Sequence, residues 1–206
     1  MAQVRILLAD DHALILDGMR RLVESHYEVV GTADDGATVV ENAARLRPEL
    51  VVLDVGLPIL NGIDAGREIR KVLPDTKLVF ISMHSEAIYV RKAIEAGASA
   101  YVLKTSAPEE LFKAIEIARG GGSYFSPGLG QEILGDLVMW PRKPSQHTEL
   151  TLRQRQILQL IAEGKQNKEI ANLLNVSVKT VEFHRGRLMN KIGTRTVAEL
   201  AKHDAL

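Results

Sequence analysis

Two rhythms of apolar residues divide the chain. Through roughly the first 120 positions, short continuous runs of apolar and β-branched residues alternate with longer stretches in which apolar side chains return every three or four places. The runs read as strands buried on both faces, and the longer stretches as amphipathic helices lying against them. Strands are predicted at about residues 4–9, 28–32, 50–54, 77–82 and 100–103, and helices at about 13–25, 37–45, 62–72, 86–96 and 108–119. Pro74 stops the third helix, Gly97 caps the fourth and Pro108 opens the fifth. Strands each followed by a helix predict an α/β fold, a doubly wound five-stranded parallel sheet of the flavodoxin-like order 2-1-3-4-5.

Gly120-Gly121-Gly122 ends that pattern. Residues 123–147, with Pro127, Gly128, Pro141 and Pro144 around an apolar patch at 133–140, read as a linker containing a short helix, so the domains are placed at 1–122 and 148–206. The second domain is helical throughout. Thr151 and Gln154 form a Thr-x-x-Gln capping box ahead of Ile157, Leu158 and Ile161, and Gly164 closes that helix. A short helix at 168–174, the turn Asn175-Val176-Ser177, a longer helix at 178–192 and a fourth at 196–202 complete a small all-α four-helix unit. Two short helices about a tight turn are a helix-turn-helix, whose second helix enters a DNA major groove. On that helix Val181, Leu188 and Ile192 share one face and are assigned to the core, leaving Lys179, Phe183, Gly186 and Asn190 opposite them, with Glu182 and Arg187 flanking.

Charge sharpens this division. The net charge of zero over 206 residues is the sum of −6 for residues 1–140 and +6 for residues 141–206. A basic helical segment suits a polyanion such as DNA, although charge alone also describes a solvated surface. The absence of cysteine excludes disulfide and thiolate chemistry, and the six histidines show no paired metal spacing. No apolar run approaches the roughly 20 residues of a membrane span, and the start Met-Ala-Gln-Val-Arg lacks a signal-peptide layout, so a cytoplasmic protein without a membrane partner is expected.

The candidate chemistry lies at strand ends, where open α/β sheets place their ligands. Asp10 and Asp11 end the first strand and Asp54 the third, and in the order 2-1-3-4-5 these strands are neighbours. Three converging carboxylates repel one another unless a cation intervenes, and a hard oxygen set suits Mg²⁺. Ser82 ends the fourth strand and Lys104 follows the fifth; a hydroxyl and an ammonium facing a carboxylate suit an acyl phosphate. Taken singly, Asp54 also reads as a loop cap, Lys104 as a surface ion pair and Tyr101 as strand packing. His12, His84 and Ser85 are placed in loops without a chemical role.

On Asp10-Asp11, Leu53-Asp54-Val55-Gly56-Leu57-Pro58, Ser82 and Tyr101-x-x-Lys104, residues 3–120 resemble the receiver domain of response regulators. The resemblance implies that Asp54 accepts a phosphoryl group from a sensor histidine kinase. It further implies that Asp10, Asp11, Asp54 and the Gly56 backbone carbonyl hold Mg²⁺, with Asp10 acting directly or through water, and that Lys104 contacts the phosphoryl group. Ser82 and Tyr101 are then a switch pair, Tyr101 turning inward once Ser82 bonds a phosphoryl oxygen. Leu57 stands where Met is common.

In the second domain, Lys179 and Thr180 suit phosphate contacts at a helix amino end. Phe183 suits a thymine methyl or burial against a neighbouring helix; Gly186 suits close backbone approach, and Glu182 lies where base edges are read. Arg185, Arg187 and Lys191 are phosphate contacts or solvated cations. Leu-Thr-x-Arg, Leu-Ile-Ala-Glu-Gly-Lys, Asn-Lys-Glu-Ile-Ala and Lys-Thr-Val-Glu-Phe-His-Arg make residues 150–200 similar to the LuxR-type helix-turn-helix of NarL/FixJ-like regulators. This resemblance implies a homodimer on double-stranded DNA, with Val197, Leu200 and Ala201 between subunits. The chain departs from the pattern at Gln154-Arg155-Gln156, where Glu is common at the first and third positions. The combined reading is a phosphorylation-controlled transcription regulator, not an enzyme beyond slow self-dephosphorylation. A regulator that ignores phosphorylation and uses its receiver for dimerisation is the alternative. A nucleotide-dependent enzyme on the same sheet is disfavoured, because Asp10-Asp11-His12 replaces the Gly-rich turn that cradles a pyrophosphate.

Overall fold

Each apolar run of the acidic half forms a strand of one parallel sheet in the computed structural model, which describes residues 3–106, 108–129 and 150–192. β1 (Arg5–Ala9), β2 (Glu28–Ala33), β3 (Leu50–Asp54), β4 (Lys77–Ser82) and β5 (Ala98–Leu103) alternate with α1 (Ala13–Glu24), α2 (Gly36–Leu46), α3 (Gly62–Val72), α4 (Ala87–Glu95) and α5 (Pro108–Arg119). The sheet runs β2-β1-β3-β4-β5-β6, and β6 (Tyr124–Phe125) is a sixth strand drawn from the stretch read as linker. It pairs with Ala100 and Tyr101, and the single 3-10 turn Pro127–Leu129 then seals Leu129 into the core. Two residues are too few to display a period of two, which is why the hydrophobic pattern does not announce them.

The pleat sends alternate side chains to opposite faces. Leu7, Val51, Leu53, Leu78, Phe80 and Tyr101 pack with Val39 of α2, Ile63 and Ile69 of α3 and Val90 of α4. Ile6, Leu8, Val52, Val79, Ile81 and Val102 pack with Met19 and Val23 of α1 and Leu111 and Ile115 of α5. Helices on both faces leave no polar side to the central strands, hence their unbroken apolar runs.

Register then places the chemistry. Ala9 lies opposite Leu53, so Asp10, one residue beyond β1, stands level with Asp54. Ser82 lies opposite Leu103, so Lys104 emerges at the same edge of the sheet. Two glycines hold the loop after Asp54 in place. The N–H of Gly62 donates to the Val55 carbonyl at 3.0 Å and that of Gly36 to the Pro58 carbonyl at 3.2 Å. A Cβ on Gly62 would lie 1.9 Å from the Asp54 carbonyl oxygen, and one on Gly36 1.7 Å from that of Leu60. Between them Ile59 sits at φ 68°, a left-handed conformation costly for a β-branched residue.

The chain divides into two compact units, Met1–Lys143 and Pro144–Leu206. In the second, α6 (Leu152–Ala162) starts at the expected capping box: the Gln154 N–H donates to Thr151 Oγ1 at 3.3 Å and the Thr151 N–H to Gln154 Oε1 at 2.9 Å. The Gln that replaces the common Glu at this position thus serves the cap without charge. Gly164 at φ 81° ends the helix as expected. α7 (Asn167–Leu173) and α8 (Val178–Ile192) follow, separated by a turn in which Asn175 takes φ 50° and the Ser177 hydroxyl caps α8 by accepting from the Thr180 N–H at 3.1 Å. Val181 and Leu188 are fully buried as assigned, and Ile192 is half-buried. The helices expected at 133–140 and 196–202 lie outside the described residues.

Two glycine substitutions should move stability in opposite directions. Gly62→Ala drives a methyl into backbone and should cost about 2 kcal/mol or more. Gly18, in the middle of α1 with nothing within 4 Å of a Cβ, gains helix propensity as Ala, about 0.5–1 kcal/mol. Scanning calorimetry should find the first midpoint lowered and the second raised; equal midpoints would show that the loop after Asp54 is not confined by α3.

Candidate functional site

Four strand ends, those of β1, β3, β4 and β5, build the pocket, and one cation holds it together. Lys104 Nζ lies 2.7 Å from Asp54 Oδ2 and 2.7 Å from Asp10 Oδ2. Asp10 is fully buried, Asp54 nearly so, and Asp11 is exposed at the rim. Burial pulls the Lys104 ammonium downward, but hydrogen bonds to Asp10 and Asp54 outweigh it and leave the pKa above that of an ordinary lysine. Carboxylate oxygens of Asp10, Asp11 and Asp54 and a ring nitrogen of His12 all come within 4.8 Å of one another. A Cβ on Gly56 would lie 3.5 Å from Asp54 Oδ2, so the Gly56 backbone passes beside that carboxylate. The oxygen-rich donor set fits a hard divalent ion such as Mg²⁺. A cleft of about 320 Å³ lined by Asp10, Asp11, Thr32 and Asp34 opens beside it.

Ser82 and Tyr101 are joined through a residue that the sequence reading left idle. The His84 N–H donates to Ser82 Oγ at 3.0 Å, and the Tyr101 hydroxyl donates to the His84 carbonyl at 2.8 Å. The His84 ring stacks on Tyr89 at 4.1 Å between centroids. Tyr101 is turned inward and fully buried. His12, also read as an inert loop residue, precedes α1 and places Nδ1 2.8 Å from Asp11 Oδ1.

On α8 the outward residues are as the helical spacing predicts, with two refinements. Lys179, Glu182, Gly186, Arg187 and Lys191 are exposed, and Phe183 is 53% exposed, which removes the reading of Phe183 as packed core. The Arg187 guanidinium sits over the Phe183 ring, 4.6 Å from its centroid, a cation–π stack that orients both side chains. Arg185 is instead half-buried and donates to Asn167 Oδ1 at 3.1 Å, tying α8 to α7. Thr180 spends its hydroxyl on the Ser177 cap at 2.9 Å. A Cβ on Gly186 would meet nothing within 4 Å, so the backbone there is open to approach. His184, half-buried, is held below the ordinary histidine value by burial first and then by Arg153 and Arg187. Val197, Leu200 and Ala201 lie outside the described residues.

Comparison with known proteins agrees with both halves. Residues 6–116 match the response regulator receiver domain, and residues 148–203 the bacterial regulatory proteins of the luxR family. The chain belongs to the NarL/FixJ-type response regulators. It is 39% identical over 203 residues to the transcriptional regulatory protein MctR of Rhizobium johnstonii, covering 98% of this chain and 92% of that one. A solved two-component response regulator of the LuxR family from Aurantimonas sp. SI85-9A1 matches 66% of the chain and 99% of its own at 39% identity with a TM-score of 0.63. The structure of RcsB in complex with DNA matches 97% of the chain and 96% of its own at 25% identity with a TM-score of 0.59.

Within this response regulator, burial shows most clearly in the phenols. Burial first, and a lesser set of charged neighbours, push Tyr101 up to about 12; burial and then a hydrogen bond to Glu116 push Tyr27 up to about 12. A raised folded pKa favours the neutral phenol, so this contribution to stability is whole below the unfolded value of about 10 and is lost as pH rises toward 12. Titration followed by tyrosinate absorbance should show Tyr101→Phe deleting a phenol that ionises near pH 12. Loss of one that ionises near 10 would mean that the ring is open to solvent.

Proposed function

We propose that the protein is a cytoplasmic two-component response regulator in which Asp54 accepts a phosphoryl group from a sensor histidine kinase and thereby controls binding of residues 148–206 to promoter DNA. The observation that carries this is the Lys104 ammonium 2.7 Å from the Asp54 carboxylate, at the carboxyl edge of a receiver sheet. Asp54 attacks phosphorus, the P–N bond of the donor phosphohistidine breaks, and a P–O bond to the carboxylate forms. Lys104 stays beside the oxygens that gain charge. Asp10, Asp11, Asp54 and the Gly56 carbonyl would hold Mg²⁺, which when bound neutralises the carboxylates and the phosphoryl oxygens. The chain is a receiver of the group rather than an enzyme with turnover; slow hydrolysis of the acyl phosphate is its expected end.

The switch runs through His84. A Ser82 hydroxyl that rotates to a phosphoryl oxygen gives up the His84 N–H, and the loop before α4 then keeps the Tyr101 hydroxyl on the His84 carbonyl and the His84–Tyr89 stack. This biases an equilibrium between two surfaces around α4 and β5. The receiver, residues 1–122 with β6 appended, passes that bias through the rest of 123–147 to a DNA-binding domain that works as a homodimer, with Val197, Leu200 and Ala201 between subunits. Among the described residues no helix is long and apolar enough to cross a membrane. Lys179, Thr180, Arg187 and Lys191 face the phosphates, while Glu182, Phe183 and the Gly186 backbone face base edges; Arg185 supports them from behind.

The alternative is a regulator whose DNA binding ignores phosphorylation and whose receiver serves as a dimerisation module. One measurement separates the two. With acetyl phosphate and Mg²⁺ the wild type should gain one phosphoryl mass, Asp54→Asn none, and only the wild type should tighten on DNA. Stoichiometric labelling of Asp54→Asn would remove the site assignment; labelling without any change in DNA affinity or sedimentation would select the second reading.

The cations and the ring should separate in binding assays. Lys179→Ala and Lys191→Ala should weaken specific and random duplexes alike and lower the salt slope by about one. Phe183→Ala removes the platform under Arg187 as well as a base contact, so it should relax sequence preference by about 1–3 kcal/mol. If that variant keeps the wild-type preference in a selection from random oligonucleotides, reading falls to Glu182 and the backbone at Gly186.

A further inference from the structure

Beside the pocket, on the outer edge of β5, lies a polar cluster centred on a buried serine that the phosphorylation chemistry does not use. Ser126, directly after β6, is fully buried. Its N–H donates to the Tyr101 carbonyl at 3.0 Å, and its hydroxyl accepts from the Leu103 N–H at 3.1 Å. The hydroxyl in turn donates to Glu110 Oε2 at 2.6 Å, and Ser106 Oγ lies 3.2 Å away, placed to donate into the remaining lone pair. Glu110, in the first turn of α5, also accepts from the Tyr124 hydroxyl at 3.2 Å. Its carboxyl is held below the usual range by the Ser126 hydrogen bond first, with smaller help from Ser106, Tyr124 and Lys113. The end of β5 is thus held on its outer side by Ser126, which takes the Leu103 N–H and gives its own N–H to Tyr101, as well as by the β4 ladder on the inner side.

That end of β5 carries the pocket's cation. Lys104 follows Leu103 directly, and its own N–H donates to the Ser82 carbonyl at 2.8 Å. The backbone that aims Lys104 at Asp54 is thus clamped between Ser82 on one side and Ser126 on the other. We propose that Ser126 and Glu110 are positioning residues for phosphoryl acceptance: they fix the Leu103–Lys104 backbone so that the ammonium stays on Asp54, and the state of Asp54 is in return felt at β6. The return leg is required by linkage: if the clamp favours the phosphorylated pocket, phosphorylation favours the clamp by the same factor. Ser126 stands where the chain leaves the sheet toward the second unit, so the clamp puts the pocket in touch with the first residues of the connection. This rests on Asp54 being the acceptor.

The test follows phosphorylation by acetyl phosphate with Mg²⁺, read by intact mass on the full chain. Ser126→Ala and Glu110→Ala should slow labelling about two- to tenfold, the range one hydrogen bond supports, whereas Glu110→Gln keeps an acceptor oxygen and should stay within about twofold of wild type. In a Lys104→Met background Ser126→Ala should cause no further slowing, an outcome that general loosening of the fold would not produce. Hydrogen exchange at the Leu103 and Ser126 amides should also slow when beryllofluoride and Mg²⁺ occupy the pocket. Wild-type labelling rates in both alanine variants, or equal slowing with and without Lys104, overturns the proposal. Should Ser126→Ala fail to fold, the comparison of Glu110→Ala with Glu110→Gln decides alone. A wild type that gains no mass, or gains it in Asp54→Asn, refutes the acceptor assignment instead.

Discussion

Asp10 and Asp54 are buried side by side, and like charges at such a separation cost on the order of 4 kcal/mol even at an effective dielectric constant near 20. The Lys104 ammonium, shared between them at 2.7 Å on each side, is what makes the arrangement stable. Much of the receiver can be understood as the apparatus that keeps these three groups together. β1 and β3 bring the carboxylates level by register, β5 delivers the cation, and Gly36 and Gly62 draw α2 and α3 onto the loop that follows Asp54. A site with two anions and one cation retains an unmet attraction for positive charge, which is the electrostatic reason a divalent ion and a phosphoryl group enter as a pair.

The DNA-binding unit distributes its cations with equal economy. Of the arginines on α8, one is committed to holding α7 through Asn167 and one sits over the Phe183 ring. An arginine held over an aromatic ring has already surrendered part of its rotamer freedom, so less entropy remains to be lost on docking. Lys179, by contrast, projects from the amino end of the helix as a flexible point charge suited to the sequence-independent phosphate field.

Most of this architecture was legible in the order of residues because it rests on periodicity and punctuation. The five principal strands, their helices, the Thr151 capping box and the outward position of Phe183 each follow from a short local pattern. What escaped depends on contacts distant in sequence. β6 is two residues long and owes its existence to the edge of β5. The role of His84 passes through its backbone N–H and carbonyl, which no side-chain pattern records, and Glu110 meets Ser126 only because α5 and β6 lie on the same edge. Arg185 and Arg187 look alike as letters two places apart; the helical rotation of about 200° between them sends one toward α7 and the other to solvent. The inward pose of Tyr101 is likewise a property of the packed loop before α4.

The brevity of β6 has a consequence of its own. A parallel sheet that stopped at β5 would present a row of open amides and carbonyls to any extended chain, the template from which edge-to-edge aggregation grows. Two paired residues, a serine hydroxyl standing in for a third and a proline immediately afterward close that row and leave too short a margin for another strand to extend. The protection is only as durable as those few hydrogen bonds, so conditions that peel residues 124–126 from the sheet should make the receiver sticky well before they unfold it.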